Sequence, residues 1–124
     1  ICGNATNVEW ILSDSIEYLE KDKDRYHFVL LDSVNDPIHI LEEFKLIATR
    51  IHEDGILMID DAGVGLDKQP LESDWVHAPR KALQVNQFLS DIDVDYKIVV
   101  GGHAGNQLLL KATSDNIQKI RESL

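Results

Sequence analysis

The sequence predicts an α/β fold, a doubly wound and mostly parallel sheet with a terminal antiparallel β-hairpin. Three observations predict it. Short, almost wholly apolar runs at 26–31 (YHFVLL) and 56–59 (ILMI) read as strands buried on both faces. Amphipathic helical stripes alternate with them, and that alternation implies crossover connections between parallel strands. The last two apolar runs are joined by a segment holding Gly101, Gly102 and Gly105, which marks a hairpin.

The elements follow in order. Residues 8–12 (VEWIL) read as a first short strand ending at Leu12. Asp14 to Glu17 has the D-x-x-E spacing of a capping box and starts a helix over 16–21. The strand at 26–31 ends at Asp32. Asn35-Asp36-Pro37 then signals a helix start, with Pro in the first turn. Ile40, Phe44, Ile47 and Ile51 recur at helical spacing, which leaves Glu42, Glu43, Lys45 and Arg50 on the wet side. That helix is expected to stop near His52, because Glu53-Asp54-Gly55 reads as a turn.

The strand at 56–59 ends in Asp60-Asp61, and a long polar loop over 62–79 follows, the kind that often serves as a lid or binding loop. A helix is expected over 80–90, strands over 96–100 and 107–110, and a closing helix carrying Ile117, Ile120 and Leu124. The whole is Rossmann-like, and ligands in such sheets lie at the carboxyl ends of the strands.

Size and charge narrow the function classes. With 124 residues, the chain is one domain. Hydrophobic residues at 44% and charged residues at 27% are a globular composition. No apolar run is long enough to span a membrane, and no signal peptide is visible. Cys2 alone cannot form an internal disulfide, so the expected compartment is cytoplasmic. Twelve Lys+Arg against 22 Asp+Glu give a net charge of −10, which repels phosphate backbones. A small-molecule substrate is therefore expected rather than nucleic acid or membrane, and a homo-oligomer is compatible with this.

Three strand ends carry carboxylates: Ser13-Asp14, Asp32 and Asp60-Asp61. In a parallel sheet these ends share one rim, where like charges repel unless a cation or donor groups hold them. Hard oxygen donors suit Mg²⁺, Ca²⁺ or Mn²⁺. Capping explains Asp14 well. It explains Asp60-Asp61 poorly, because no helix is expected directly after them. Among the histidines, His39 lies one helical turn's reach beyond Asp32, and His103 sits in the glycine-rich hairpin as a candidate general base. His27 reads as structural and His52 as a helix carboxyl-end cation. Trp75 and His77 fall in the long loop.

The succession VEWILSDSIEYL, YHFVLLDSVNDPIHILEEF and IHEDGILMIDDAGVG, closed by a hairpin, resembles the second half of a class I S-adenosylmethionine-dependent methyltransferase. Within that class it is most similar to the metal-dependent small-molecule O-methyltransferases. The resemblance implies that Ser13, Asp14 and Ser15 border the adenine of S-adenosylmethionine. It implies that Asp32 lies near the sulfonium and is a first metal ligand, with Asp60 and Asp61 as the others around Mg²⁺. His39 and His103 join Asp32 as catalytic candidates. His27 and Asp54 depart from the family pattern, at a strand start and a turn. The glycine-rich cofactor loop and the ribose-holding acid are absent, so residues 1–124 are expected to be the carboxy-terminal part of a methyltransferase domain whose first two strands are missing.

Two alternatives from other classes stand beside this. One is a non-catalytic Rossmann-like binding domain. The other is a receiver-like phosphoacceptor domain, but there the acidic pair comes first in the chain, whereas here Asp32 precedes Asp60-Asp61.

Overall fold

Two parallel strands, β1 (Tyr26–Leu31) and β2 (Ile51–Ile59), lie side by side in the computed structural model, which describes residues 6–101 and 105–124. Phe28 pairs with Ile56 and Leu31 with Ile59, so both strands end at the same edge. Between them runs α2 (Pro37–Ile47), followed by a 3-10 turn over Ala48–Arg50. As its Asn35-Asp36-Pro37 signal implies, Asp36 caps α2 by accepting from the Ile38 and His39 N–H groups, with Pro37 in the first turn.

The predicted hairpin is present. β3 (Lys97–Val99) pairs antiparallel with β4 (Gln107–Lys111), and β4 pairs antiparallel with β2. The sheet order is β1-β2-β4-β3. One pairing is parallel and two are antiparallel, against the mostly parallel sheet expected. Because β4 alone is reversed, β3 still points the same way as β1 and β2. The remaining helices are α1 (Ser15–Lys21), α3 (Leu83–Asp91) and α4 (Ser114–Ser123). No helix among the described residues is long and apolar enough to cross a membrane.

Strand alternation puts Leu31, Leu57, Ile59, Leu108, Leu110 and Ile98 on one face. These residues are buried together with Ile40, Phe44 and Ile47 of α2, Val85 and Leu89 of α3, and Ile120 of α4. Phe44 and Phe88 meet edge to face at 6.0 Å. Phe28, Leu30 and Ile56 share the other face and are exposed. The run at 26–31, expected to be buried on both faces, is therefore covered on one. Beside the edge of β1 that no other described strand pairs with, an apolar groove of about 290 Å³ runs against Tyr18 and Leu19 of α1.

Several expectations need correcting. Residues 8–12 form no strand; Trp10 and Leu12 face solvent. A strand needs a ladder partner and a buried side, and none of the described strands pairs with this segment. The helix expected to reach His52 ends at Ile47, and His52 lies in β2. Glu53-Asp54-Gly55 is not a free turn but an irregularity inside β2. The register with β1 jumps there, and Asp54 has a left-handed φ of 65°. Glu43, placed on the wet side, is 3% exposed and accepts a hydrogen bond from the Ser33 hydroxyl at 2.8 Å. Arg50 is not a free surface cation either. It ties the end of α1 to α2, donating to Asp22 Oδ2 at 3.0 Å, the Leu19 carbonyl at 3.1 Å and the Leu46 carbonyl at 3.1 Å.

Candidate functional site

Parallel pairing of Leu31 with Ile59 brings the residues that follow them to one rim. There one oxygen each of Asp32, Asp60 and Asp61 lies within 4.8 Å of the others. The sequence-predicted convergence of these three carboxylates is what the backbone produces. Asp61 takes a left-handed φ of 48°, a conformation Asp tolerates better than most residues. Asp60 Oδ1 accepts from the Asp61 N–H at 2.9 Å and from Gln107 Nε2, at the start of β4, at 3.4 Å.

Three carboxylates so close repel one another by about 3.5 kcal/mol or more per pair at an effective dielectric of about 20, and less where water reaches them. The counter-charge comes from Lys81. Its ammonium contacts Asp32 Oδ1 directly and lies 3.8 Å from Asp61 Oδ2. The Lys81 side chain is 11% exposed, while that of Asp32 is 45% exposed. Lysine is almost never buried unless paired, and here it is paired twice.

The backbone delivers Lys81 to this place. After Asp61 the chain leaves the sheet through 62–79 and returns against its own start. The Lys81 N–H donates to the Asp61 carbonyl at 3.0 Å, and the Ala82 N–H to the Ala62 carbonyl at 3.0 Å. Gly63 sits where the two passes cross, at φ 72°; a Cβ there would run into the Pro79 carbonyl oxygen and come within 2.6 Å of Arg80 Cα. Asn35, three residues beyond Asp32, donates to the Ala78 carbonyl at 3.0 Å and accepts from the Arg80 N–H at 3.0 Å. Sequence patterning did not single out Lys81, and it marked Asn35 only as part of a helix-start signal. Lys81 lies just before the first buried position of the following helical stripe, so no spacing marks it.

The other predicted residues sit elsewhere. His39 Nε2 is 3.1 Å from Ser15 Oγ and 3.7 Å from Glu43 Oε2. No hydrogen bond or ion pair among the described residues joins His39 to the carboxylate cluster. Ser15, His39 and Glu43 are the residue types of a nucleophilic triad, but both partners face the same ring nitrogen. A triad needs the acid on the opposite nitrogen, orienting the ring. Ser15 opens α1, and Asp14 caps it, its Oδ1 accepting from the Glu17 N–H at 3.0 Å. The Ser13 hydroxyl donates to the Asp14 carbonyl at 3.1 Å. Trp75 and His77 meet edge to face at 6.3 Å in the long loop. His103 lies outside the described residues. His27 and His52 stack at 4.2 Å, away from the rim.

The fit to the implied groups is mixed. Asp32, partly exposed at a strand end, has the acceptor chemistry to face a sulfonium cation. The three hard carboxylate donors suit Mg²⁺ by type and separation. In this arrangement, however, two of the three already face an ammonium and the third faces two N–H donors, which does not fit a metal held by all three.

Compared with family models, curated proteins and solved structures, the chain matches none.

Proposed function

We propose that the chain is the carboxy-terminal part of a class I S-adenosylmethionine-dependent methyltransferase domain, acting on a hydroxyl of a small molecule. The observation that carries the proposal is the convergence of Asp32, Asp60 and Asp61 at the ends of adjacent parallel strands. The resemblance asks for those three residues at that rim. The edge of β1, unpaired among the described residues, and the exposed Phe28, Leu30 and Ile56 support it further, since a doubly wound sheet would continue past that edge and cover that face.

S-adenosylmethionine supplies an electrophilic methyl group on a positively charged sulfur. With that cofactor bound, Asp32 would face the charge from the end of β1, and the start of α1, with Ser13, Asp14 and Ser15, would border the adenine. An acceptor hydroxyl at the rim is oriented by Asp60, Asp61 and the ammonium of Lys81. Holding the oxygen in line with the methyl carbon is the main catalytic service such a site performs.

The test is methyl transfer from labelled S-adenosylmethionine to a panel of catechols and other small hydroxyl compounds, using the protein that the parent gene encodes. Transfer that disappears in Asp32→Asn supports the proposal; no transfer to any acceptor, together with no S-adenosylmethionine binding, refutes it. One observation favours a second reading, a non-catalytic Rossmann-like binding domain: Lys81 neutralises the cluster internally, as a structural ion pair would.

A further inference from the structure

We infer that Lys81 is the resident cation of the Asp32/Asp60/Asp61 cluster, holding by its own ammonium the place a divalent metal would take, so that these carboxylates work without Mg²⁺. The inference rests on the proposed active site only for its catalytic consequence; the charge arrangement stands by itself.

Three independent features converge on it. The first is contact. The Lys81 ammonium touches Asp32 and lies 3.8 Å from Asp61, so it bridges carboxylates that come from two different strand ends. The second is delivery. Lys81 is not a long side chain that happens to fold inward from the surface. Its own N–H is bonded to the Asp61 carbonyl, and the next residue is bonded to Ala62. Gly63 permits the close pass of Pro79 and Arg80, and Asn35 clamps Ala78 and Arg80 to the loop after β1. Withdrawing the ammonium means either uncoiling a side chain from a mostly buried position or undoing that crossing.

The third is the state of the donors. A divalent ion drawn to all three carboxylates would share Asp32 and Asp61 with the ammonium, and the two cations would repel. Mg²⁺ in particular demands near-octahedral oxygen geometry. Here Asp60 Oδ1 is engaged by the Asp61 N–H and by Gln107, while Asp32 and Asp61 face Lys81. An ammonium has three N–H donors. One donates to Asp32 while Asp61 lies 3.8 Å away as an ion-pair partner, so a further N–H is left to serve an acceptor oxygen at the open side of the rim. Lys81 is then a positioning residue for the acceptor as well as the counter-charge of the cluster.

Mn²⁺ is the probe, because its free form gives an electron paramagnetic resonance signal that falls on binding. In a titration of the full chain, the wild type is expected to leave that signal unchanged through low millimolar protein. Lys81→Met is expected to bind Mn²⁺ at least about tenfold more tightly, and Lys81→Arg, which keeps the charge, to behave as the wild type. Equal affinity in wild type and Lys81→Met, or binding in neither, overturns the inference. If Lys81→Met does not fold, thermal unfolding of the wild type decides. A melting temperature that rises with added Mg²⁺ overturns the inference, and one that stays fixed supports it. These readouts concern the cluster itself, so their outcome is separate from whether methyl transfer is found.

Discussion

His27 of β1 and His52 of β2 stack nearly face to face, with ring centroids 4.2 Å apart and planes inclined by 22°. The His52 pKa is lowered from its ordinary 6.5, first by partial loss of hydration and then by repulsion from His27 and Arg25. The sign follows from linkage. A histidine whose folded pKa lies below its unfolded one binds more protons when unfolded, so stability rises with pH across the interval between the two. The chain is therefore expected to be unaffected by this pair above pH about 6.5 and to lose stability as pH falls below it. Urea midpoints at pH 7.5 and pH 5.5 measure the loss, and His27→Gln should shrink it. A pH response identical in wild type and His27→Gln would remove the stack as its cause.

Gly63 is the crossing point of the loop. Gly63→Ala forces a Cβ into the Pro79 carbonyl and into a left-handed backbone at φ 72°. The backbone alone costs about 1–2 kcal/mol for an L-residue, and the collision adds to it. The expected result is a lowered melting temperature together with a shifted chemical environment for the Lys81 side chain. A variant as stable as the wild type would mean that the two passes of the loop are not packed as described.

Asp32→Asn removes the negative charge that faces both Lys81 and the proposed sulfonium position. Under the proposed function it is expected to cut methyl transfer by about two to three orders of magnitude, the usual scale for losing one preorganised electrostatic partner. The fold should survive, because the Asp32 side chain is 45% exposed. With Lys81 as the resident cation, a chelator should leave wild-type activity unchanged. Activity abolished by chelation and restored by Mg²⁺ would return the cluster to a metal-assisted scheme.

The 124-residue chain carries the strand-end acids but no glycine-rich cofactor loop and no ribose-holding acid of the kind the resemblance calls for. Each missing hydrogen bond is worth about 0.5–1.5 kcal/mol, more when charged. Losing several takes a micromolar site, about −8 kcal/mol, toward the millimolar range. Isothermal titration of this chain with S-adenosylmethionine should accordingly show weak binding or none. A dissociation constant near micromolar would show that the strand assignment behind the proposed function is wrong.

Much of the framework was legible because its signals are local. Asp32 and Asp60-Asp61 end apolar runs, so their meeting at one rim follows once the runs pair in parallel. Gly101, Gly102 and Gly105 mark a reversal, and the strands on either side do pair. What escaped depends on contacts distant in the chain. Residues 8–12 have a strand's composition, but composition supplies no partner. Glu53-Asp54-Gly55 has the residues of a turn, and a bulge uses the same ones. On the β4 side, Asp54 N–H reaches the Ala112 carbonyl at 2.9 Å and Ala112 N–H the Gly55 carbonyl at 2.9 Å, which ties the segment to the sheet. Glu43 looked solvated because its partner Ser33 lies ten residues back across a loop. Nothing in the immediate sequence of Lys81 announces Asp32, 49 residues away.

The ladder between β2 and β4 joins Ile59 to Leu108 and Ile56 to Lys111. In the sheet, the strands on the β1 side of that seam are built from residues up to Ile59, and those on the other side from Lys97 onward. Forming it closes a loop of about 50 residues, whose entropy grows only slowly with length, so the seam joins two stretches of strand far apart in the chain. A single cut in the exposed stretch around Glu72 to Asp74 would sever no strand or helix. The two pieces would remain complementary along one antiparallel ladder and one shared core, the design of a protein that can be split and reassembled from its parts.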